Sequence, residues 1–414
     1  MKLDKIAFWK FSLATLICIF SSSVAVAAYT GTCSTPADVS ELPPGHWCKV
    51  LNSNARTVEK SPKEWDDWNG SSSAKYSSYQ GKMGFKAIME NWSGAAFDSL
   101  RDRLIVMGGG HAGYAGNEII AFSLKTLKWE RITDPTPFPV ANTIKNAGPP
   151  PTPTSRHTYG GIEYIASSDK LFIFGGSVYN SGSAVGGVWT FDLSAAAQGN
   201  PITNSKYWSQ RSDKNAPPAG LDDFAVYDPI TDRVFFHKTS SPGLLGSFHD
   251  ATDTWASHSS TGHLPTTFAV INPIEHKLYE FNTLNGTNLR KWDIPDNPIT
   301  SMSYVDIKTG GDTTMNTADD PGIAFDTAKE KIVAYYGGTS VYVFDSDKNI
   351  WTKYPAASTN LADPGRVTAA GGIFGRFRYS SNLNVYVYVD SVDSDVYLYK
   401  LAPDPLRPSA PVLY

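Results

Sequence analysis

Apolar residues in this chain come in short blocks of four to six, cut off by glycine, proline, aspartate or asparagine, and no helical period is sustained for long. Blocks of that length bounded by turn formers predict strands. One stretch shows the grammar clearly. Leu104-Ile105-Val106-Met107 runs into Gly108-Gly109-Gly110, a polar loop follows from His111 to Asn117, and Ile119-Ile120-Ala121-Phe122 resumes the apolar pattern. The glycines permit positive φ and close backbone approach at the strand end. A weaker copy recurs at Leu171 to Gly176.

From Asn91 onward the pattern repeats as a unit: a small-residue strand, a turn, a more apolar strand, a loop, a third strand, and often a tryptophan near a fourth. The units open at Gly94, Gly160, Phe224, Phe268, Gly322 and Phe374, and Trp129, Trp208, Trp255, Trp292 and Trp351 close the first five. Asp98, Asp228, Asn272 and Asp326 mark the turn between first and second strands. About four short strands every 45 to 70 residues predicts a β-propeller, in which each sheet completes its core by stacking on its neighbours. The expected fold is therefore all-β, a single propeller of six blades over residues 91–402. A seventh blade is the alternative if 57–91 hides strands. The sixth unit lacks a fourth strand before the proline-rich tail at 403–414, and an orphan strand carrying Trp47 stands upstream (Gly45 to Asn52). We expect that N-terminal strand to complete the last sheet and close the ring.

Composition agrees with this reading. Of 414 residues, 41% are hydrophobic and only 18% charged, enough for a large core and against disorder. The formal net charge of −4 carries no basic footprint for nucleic acid. Residues 1–28 read as a secretory signal: Lys2, Lys5 and Lys10, an apolar run from Phe11 to Phe20, then Ala25-Val26-Ala27 as a small-x-small cleavage site. A membrane anchor is the competing reading, although the run is short for a span. The expectation is a secreted or periplasmic monomer, with no membrane association once the signal is removed. Its N-terminal segment, 29–90, contains the only two cysteines left, Cys33 and Cys48, which most simply form one disulfide anchoring the closing strand; two free thiols is the alternative.

The run from Arg103 to Gly110 with Trp129, echoed by Lys170 to Gly176 with Trp208, resembles kelch repeats, and the wider first unit is similar to exported bacterial propellers of the galactose oxidase-like central-domain type. The third, fourth and sixth units lack the double glycine. The copper-radical chemistry that the resemblance implies needs a cysteine crosslinked to tyrosine, and both available cysteines lie outside the repeats, so an oxidase is disfavoured.

In a propeller, the loop after each second strand and the segment before each first strand emerge on one face. That brings the loop holding His111, Tyr114 and Asn117 beside Arg156, His157 and Tyr159 of the next unit, with Tyr179 and Arg376 on the same face. Such a cationic and aromatic set suits an anionic sugar, since arginine can fork onto a carboxylate and tyrosine can stack or exchange a proton. The expected activity is that of a polysaccharide lyase cleaving a uronate-containing glycan by β-elimination. His111, Arg156, His157, Tyr159 and Tyr114 are its candidate catalytic residues, and Asn117, Tyr179 and Arg376 its candidate substrate ligands. The alternatives are a non-catalytic glycan- or protein-binding propeller and a sugar mutarotase or isomerase. Four of these residues also have a structural reading: His111 as a loop cap, Arg156 and His157 as inter-blade bonds, and Asn117 as a strand-edge bond. No cofactor or metal is expected. His237, His249, His258 and His263 match no trusted ligand spacing, although a structural Zn or Ca ion is compatible with the sequence.

Overall fold

The computed structural model describes residues 29–403, apart from 62–74, 137–151, 199–203, 212–219, 222–223, 239–242, 262–266, 283–288, 297–299 and 370. The expected leader at 1–28 and almost all of the tail at 403–414 thus lie outside the described residues.

Six sheets of four principal strands are arranged around one axis. Their innermost strands are Ala95–Asp98, Ile162–Ile165, Phe224–Asp228, Thr267–Asn272, Gly322–Asp326 and Phe377–Ser380. Each lies against its neighbours in the next and previous blades, and the sixth returns to the first, so the ring is closed. Within a blade the strands step outward as antiparallel hairpins. Four of the innermost strands carry alanine (Ala95 and Ala96, Ala225, Ala269, Ala324) where six strands must converge on the axis. Outer strands carry the aromatics that fill the widening gaps between blades, as Phe174, Phe236, Phe248 and Trp255 do between the second and third.

The residue before the second strand of every blade has positive φ: Asp102, Asp169, Asp232, His276, Glu330 and Asn384. The six first hairpins therefore share one turn geometry, favoured by short polar side chains.

The ring closes as the orphan strand predicts. His46–Val50 pairs antiparallel with Tyr397–Lys400, setting Trp47 opposite Tyr399 and Cys48 opposite Leu398. Trp47 is fully buried and its ring lies against Tyr335 and Tyr399. Cys48 is disulfide-bonded to Cys33 on the short strand Thr32–Cys33, which runs parallel along the outer edge of the closing strand. The described part of 57–91 forms helical turns (Lys75–Gln80, Gly84–Lys86, Ala87–Glu90) and no blade, which settles the number at six. One detail departs from the sequence pattern. Trp292 sits on the third strand of its blade, Leu289–Asp293, and Tyr304–Ile307 supplies the fourth. Among the described residues no helix is long and apolar enough to cross a membrane.

Candidate functional site

Strand direction puts the loops after second strands and the segments before first strands at one end of the axis, here termed the upper mouth. The third residue before the innermost strand is aromatic in three consecutive blades: Phe374 in the sixth, Trp92 in the first and Tyr159 in the second. All three have φ between 45° and 51°. Bulky side chains rarely occupy this region, and such conformations persist only where the surroundings over-determine them. The surroundings do so here. Tyr159 N–H donates to Trp92 O at 2.9 Å, and Phe374 N–H donates to Asp320 O at 3.2 Å.

His157 lies at the centre of this group. It belongs to a two-residue strand, Arg156–His157, pairing antiparallel with Ser177–Val178 after the second strand of its own blade. Gly110 makes that approach possible. A side chain there would meet His157 N at 2.2 Å, and its φ of 47° suits glycine. The imidazole stacks on Trp92 (centroids 5.4 Å), stands edge-on to Tyr159 (5.7 Å) and faces His111 (5.6 Å). The Tyr159 ring in turn meets Phe374 at 5.9 Å. His157 Nδ1 is 3.4 Å from the Tyr159 hydroxyl, while Nε2 is buried with no hydrogen-bond partner among the described residues.

Exposure of His157 is only 2%, and burial pushes its pKa from 6.5 down to about 4, with the His111 charge adding to the effect. The ring is therefore neutral at neutral pH, able to accept or donate one proton according to tautomer. His111, by contrast, is exposed and packs over Gly182, and Trp92 is 38% exposed against Gly371. Gly160, Phe374 and Asp320, with Phe224, Phe268 and Arg378, line a narrow cavity of about 40 Å3 running down the axis from this mouth.

Several sequence candidates are instead committed to the scaffold. Arg156 is buried and gives its protons to Thr154 O (3.0 Å) and Gly175 O (3.0 Å), and desolvation lowers its pKa to about 10. Arg376 is wholly buried and donates to the carbonyls of Val389, Met89, Ser93 and Gly372, locking the sixth blade to the segment before the first. Neither guanidinium is placed to hold a substrate carboxylate. Asn117 bridges Pro153 O (2.7 Å) and Thr136 N–H (2.8 Å). Tyr114 is buried with its hydroxyl on Glu118 (2.6 Å). Tyr179 is half-buried and ties the loops together through its backbone, receiving Ala112 N–H and donating to Ser155 O. Of the eight, His111, His157 and Tyr159 are brought together at the mouth. Trp92 and Phe374, the latter read from the sequence only as the start of the sixth unit, were not site candidates, although both share with Tyr159 the pattern of an aromatic followed within two residues by glycine. His237 and Glu280 form a buried bond within the blades, extended by Trp292 Nε1 at 2.9 Å, and no cluster of metal-ligating side chains occurs among the described residues.

No protein-family model matches the chain, and no curated protein matches it. Among solved structures it is similar to TolB from Acinetobacter baumannii, at 12% identity and a TM-score of 0.40. That alignment covers 65% of this chain and 55% of TolB, so the match spans about half of that protein. It is also similar to XC5397 from Xanthomonas campestris, a gluconolactonase, at 11% identity and a TM-score of 0.45 over 77% of this chain and 86% of that one. The blade assignment rests on the strand pairing itself.

Proposed function

We propose that the upper mouth is an acid–base site for a carbohydrate, and that within this class it cleaves a uronate-containing glycan by β-elimination. The observation that carries the reading is the Nε2 of a neutral His157, buried and without a hydrogen-bond partner among the described residues, beside the Tyr159 hydroxyl. A buried polar atom without a partner is costly in a purely structural role. β-Elimination needs a proton acceptor and a proton donor a few ångströms apart. His157 takes the C5 proton, the electron pair forms the C4–C5 double bond, the C4–O bond breaks, and the departing oxygen is protonated by the Tyr159 hydroxyl. His111 is the exposed group that meets the uronate carboxylate, the task for which Arg156 and Arg376 are not placed. An anionic substrate beside His157 also stabilises its imidazolium form and raises its basicity at the moment of use. Trp92, 38% exposed, offers an aromatic surface for a sugar.

The same reading takes the blades as kelch-like, since double glycines follow the second strands of the first, second and fifth (Gly109-Gly110, Gly175-Gly176, Gly337-Gly338). It takes the protein as exported, in keeping with the Cys33–Cys48 disulfide.

The test is a panel of anionic polysaccharides incubated with the purified protein and followed by ultraviolet absorbance of unsaturated uronates. We expect product from at least one polymer and a loss of about 100-fold or more in His157→Phe. Retained glycan binding without turnover supports a binding module, the second reading that the Trp92 platform favours. Neither binding nor turnover by folded protein overturns both.

A further inference from the structure

A second cavity, of about 230 Å3, opens at the opposite end of the axis. The penultimate residue of each innermost strand lines it: Phe97, Tyr164, Tyr227, Ile271, Phe325 and Tyr379. The three tyrosine hydroxyls are already engaged with the hairpin turn five residues on, in Tyr164–Asp169, Tyr227–Asp232 and Tyr379–Asn384, each at 2.9 Å. Those bonds hold the rings in place and leave them to act as apolar walls.

The charged groups of this cavity are Glu163 and Arg378, paired at 3.3 Å with side chains 10% and 19% exposed. Arg378 also donates to Gly375 O and Ala95 O, and Glu163 accepts the Tyr164 N–H. Of the five guanidinium hydrogens, one on each terminal nitrogen keeps no partner among the described residues. Arg378, Val226, Ala269 and Ile323 border both axial cavities, whereas Glu163 lines the lower one alone, so the carboxylate marks the pair as part of the lower mouth. Rigid aromatic walls around a donor–acceptor pair of zero net charge fit a neutral polyhydroxylated ring. Its hydroxyls can donate to Glu163 and accept from Arg378 without breaking the pair, whereas a charged ligand must compete with it. The volume lies below the about 300–1,000 Å3 of sites for drug-sized ligands, which restricts the occupant to one ring.

We propose that this lower mouth binds a single neutral hexopyranose, free or at the end of a glycan, independently of the acid–base site at the upper mouth. The experiment titrates methyl glucoside, methyl galactoside, methyl mannoside and D-glucuronate into the purified protein by saturation-transfer NMR and calorimetry. The variants are Ala166→Trp and Ser99→Trp, which fill the rim from exposed positions, Glu163→Gln and His157→Phe. At least one neutral glycoside is expected to bind, with affinity falling by about tenfold, equivalent to about 1.4 kcal/mol, or more in both rim variants and unchanged in His157→Phe. Glu163→Gln, which leaves Arg378 unopposed, is expected to shift preference towards glucuronate. Absence of binding by every neutral glycoside, binding untouched by both rim tryptophans, or a wild-type preference for glucuronate each overturns the proposal. Loss in His157→Phe alone moves the sugar to the upper mouth and overturns it as well.

Discussion

Removing the titration of His157 while keeping an aromatic ring in its place tests the site without knowledge of a substrate. In the folded protein this imidazole has a pKa of about 4 against 6.5 for an ordinary histidine, because burial and the neighbouring His111 both oppose its charge. The folded value lies below the unfolded one, so between these limits the unfolded chain binds the proton and the folded chain does not. Stability must then fall as pH drops from 6.5 through 4. The interval, at about 1.4 kcal/mol per pH unit, corresponds to a loss of about 3 kcal/mol that is complete near pH 4. His157→Phe retains an aromatic against Trp92 and Tyr159 and has nothing to protonate. Urea unfolding of wild type and variant at pH 7, 6, 5 and 4 separates this contribution from the carboxylates, which both proteins share. We expect the wild type to lose about 3 kcal/mol more than the variant over that range. Parallel stability curves would refute the argument, since they require His157 to be solvated or partnered in the folded state. The reading of its Nε2 as a proton acceptor poised in the mouth would fall with it.

Three further outcomes follow from the same physics. Glu118 is buried beside Tyr114, and desolvation pushes its carboxyl up to about 7 although the tyrosine hydroxyl pulls it back. Here the folded state holds the proton longer, so stability falls as pH rises from 4.5 to 7, and Glu118→Gln should flatten that decline by about 3 kcal/mol in denaturant titrations. Replacing Trp47, which is wholly enclosed in the ring closure, by alanine should cost about 3–5 kcal/mol in chemical unfolding; a loss below about 1 kcal/mol would mean the closing strand is dispensable. Cys33→Ser/Cys48→Ser opens a link across a sequence separation of 15 and should lower stability by about 3 kcal/mol, read as a drop in melting temperature that reductant reproduces in the wild type.

Strand alternation is a local property, and six repeats of it specified the blades, their order and the turn positions before any contact was known. Closure by the Trp47 strand was legible for a related reason: one sheet lacked a fourth strand, and one strand lacked a sheet. The functional residues were only partly legible. Arg156, Arg376, Asn117 and Tyr114 have the right chemistry and occur in the right segments, but their donors and acceptors are spent on carbonyls, amides and a carboxylate of neighbouring elements. Nothing in a residue's type or sequence neighbours tells whether its hydrogen bonds are consumed by backbone that the fold buries around it. Trp92 and Phe374 joined the site because three linkers converge on one axis and force three aromatics into the same left-handed conformation. The sequence alone therefore determined the propeller and the face on which chemistry was to be sought. Only the tertiary structure decided which polar atoms remain unspent there, because hydrogen-bond satisfaction is a property of the packed whole.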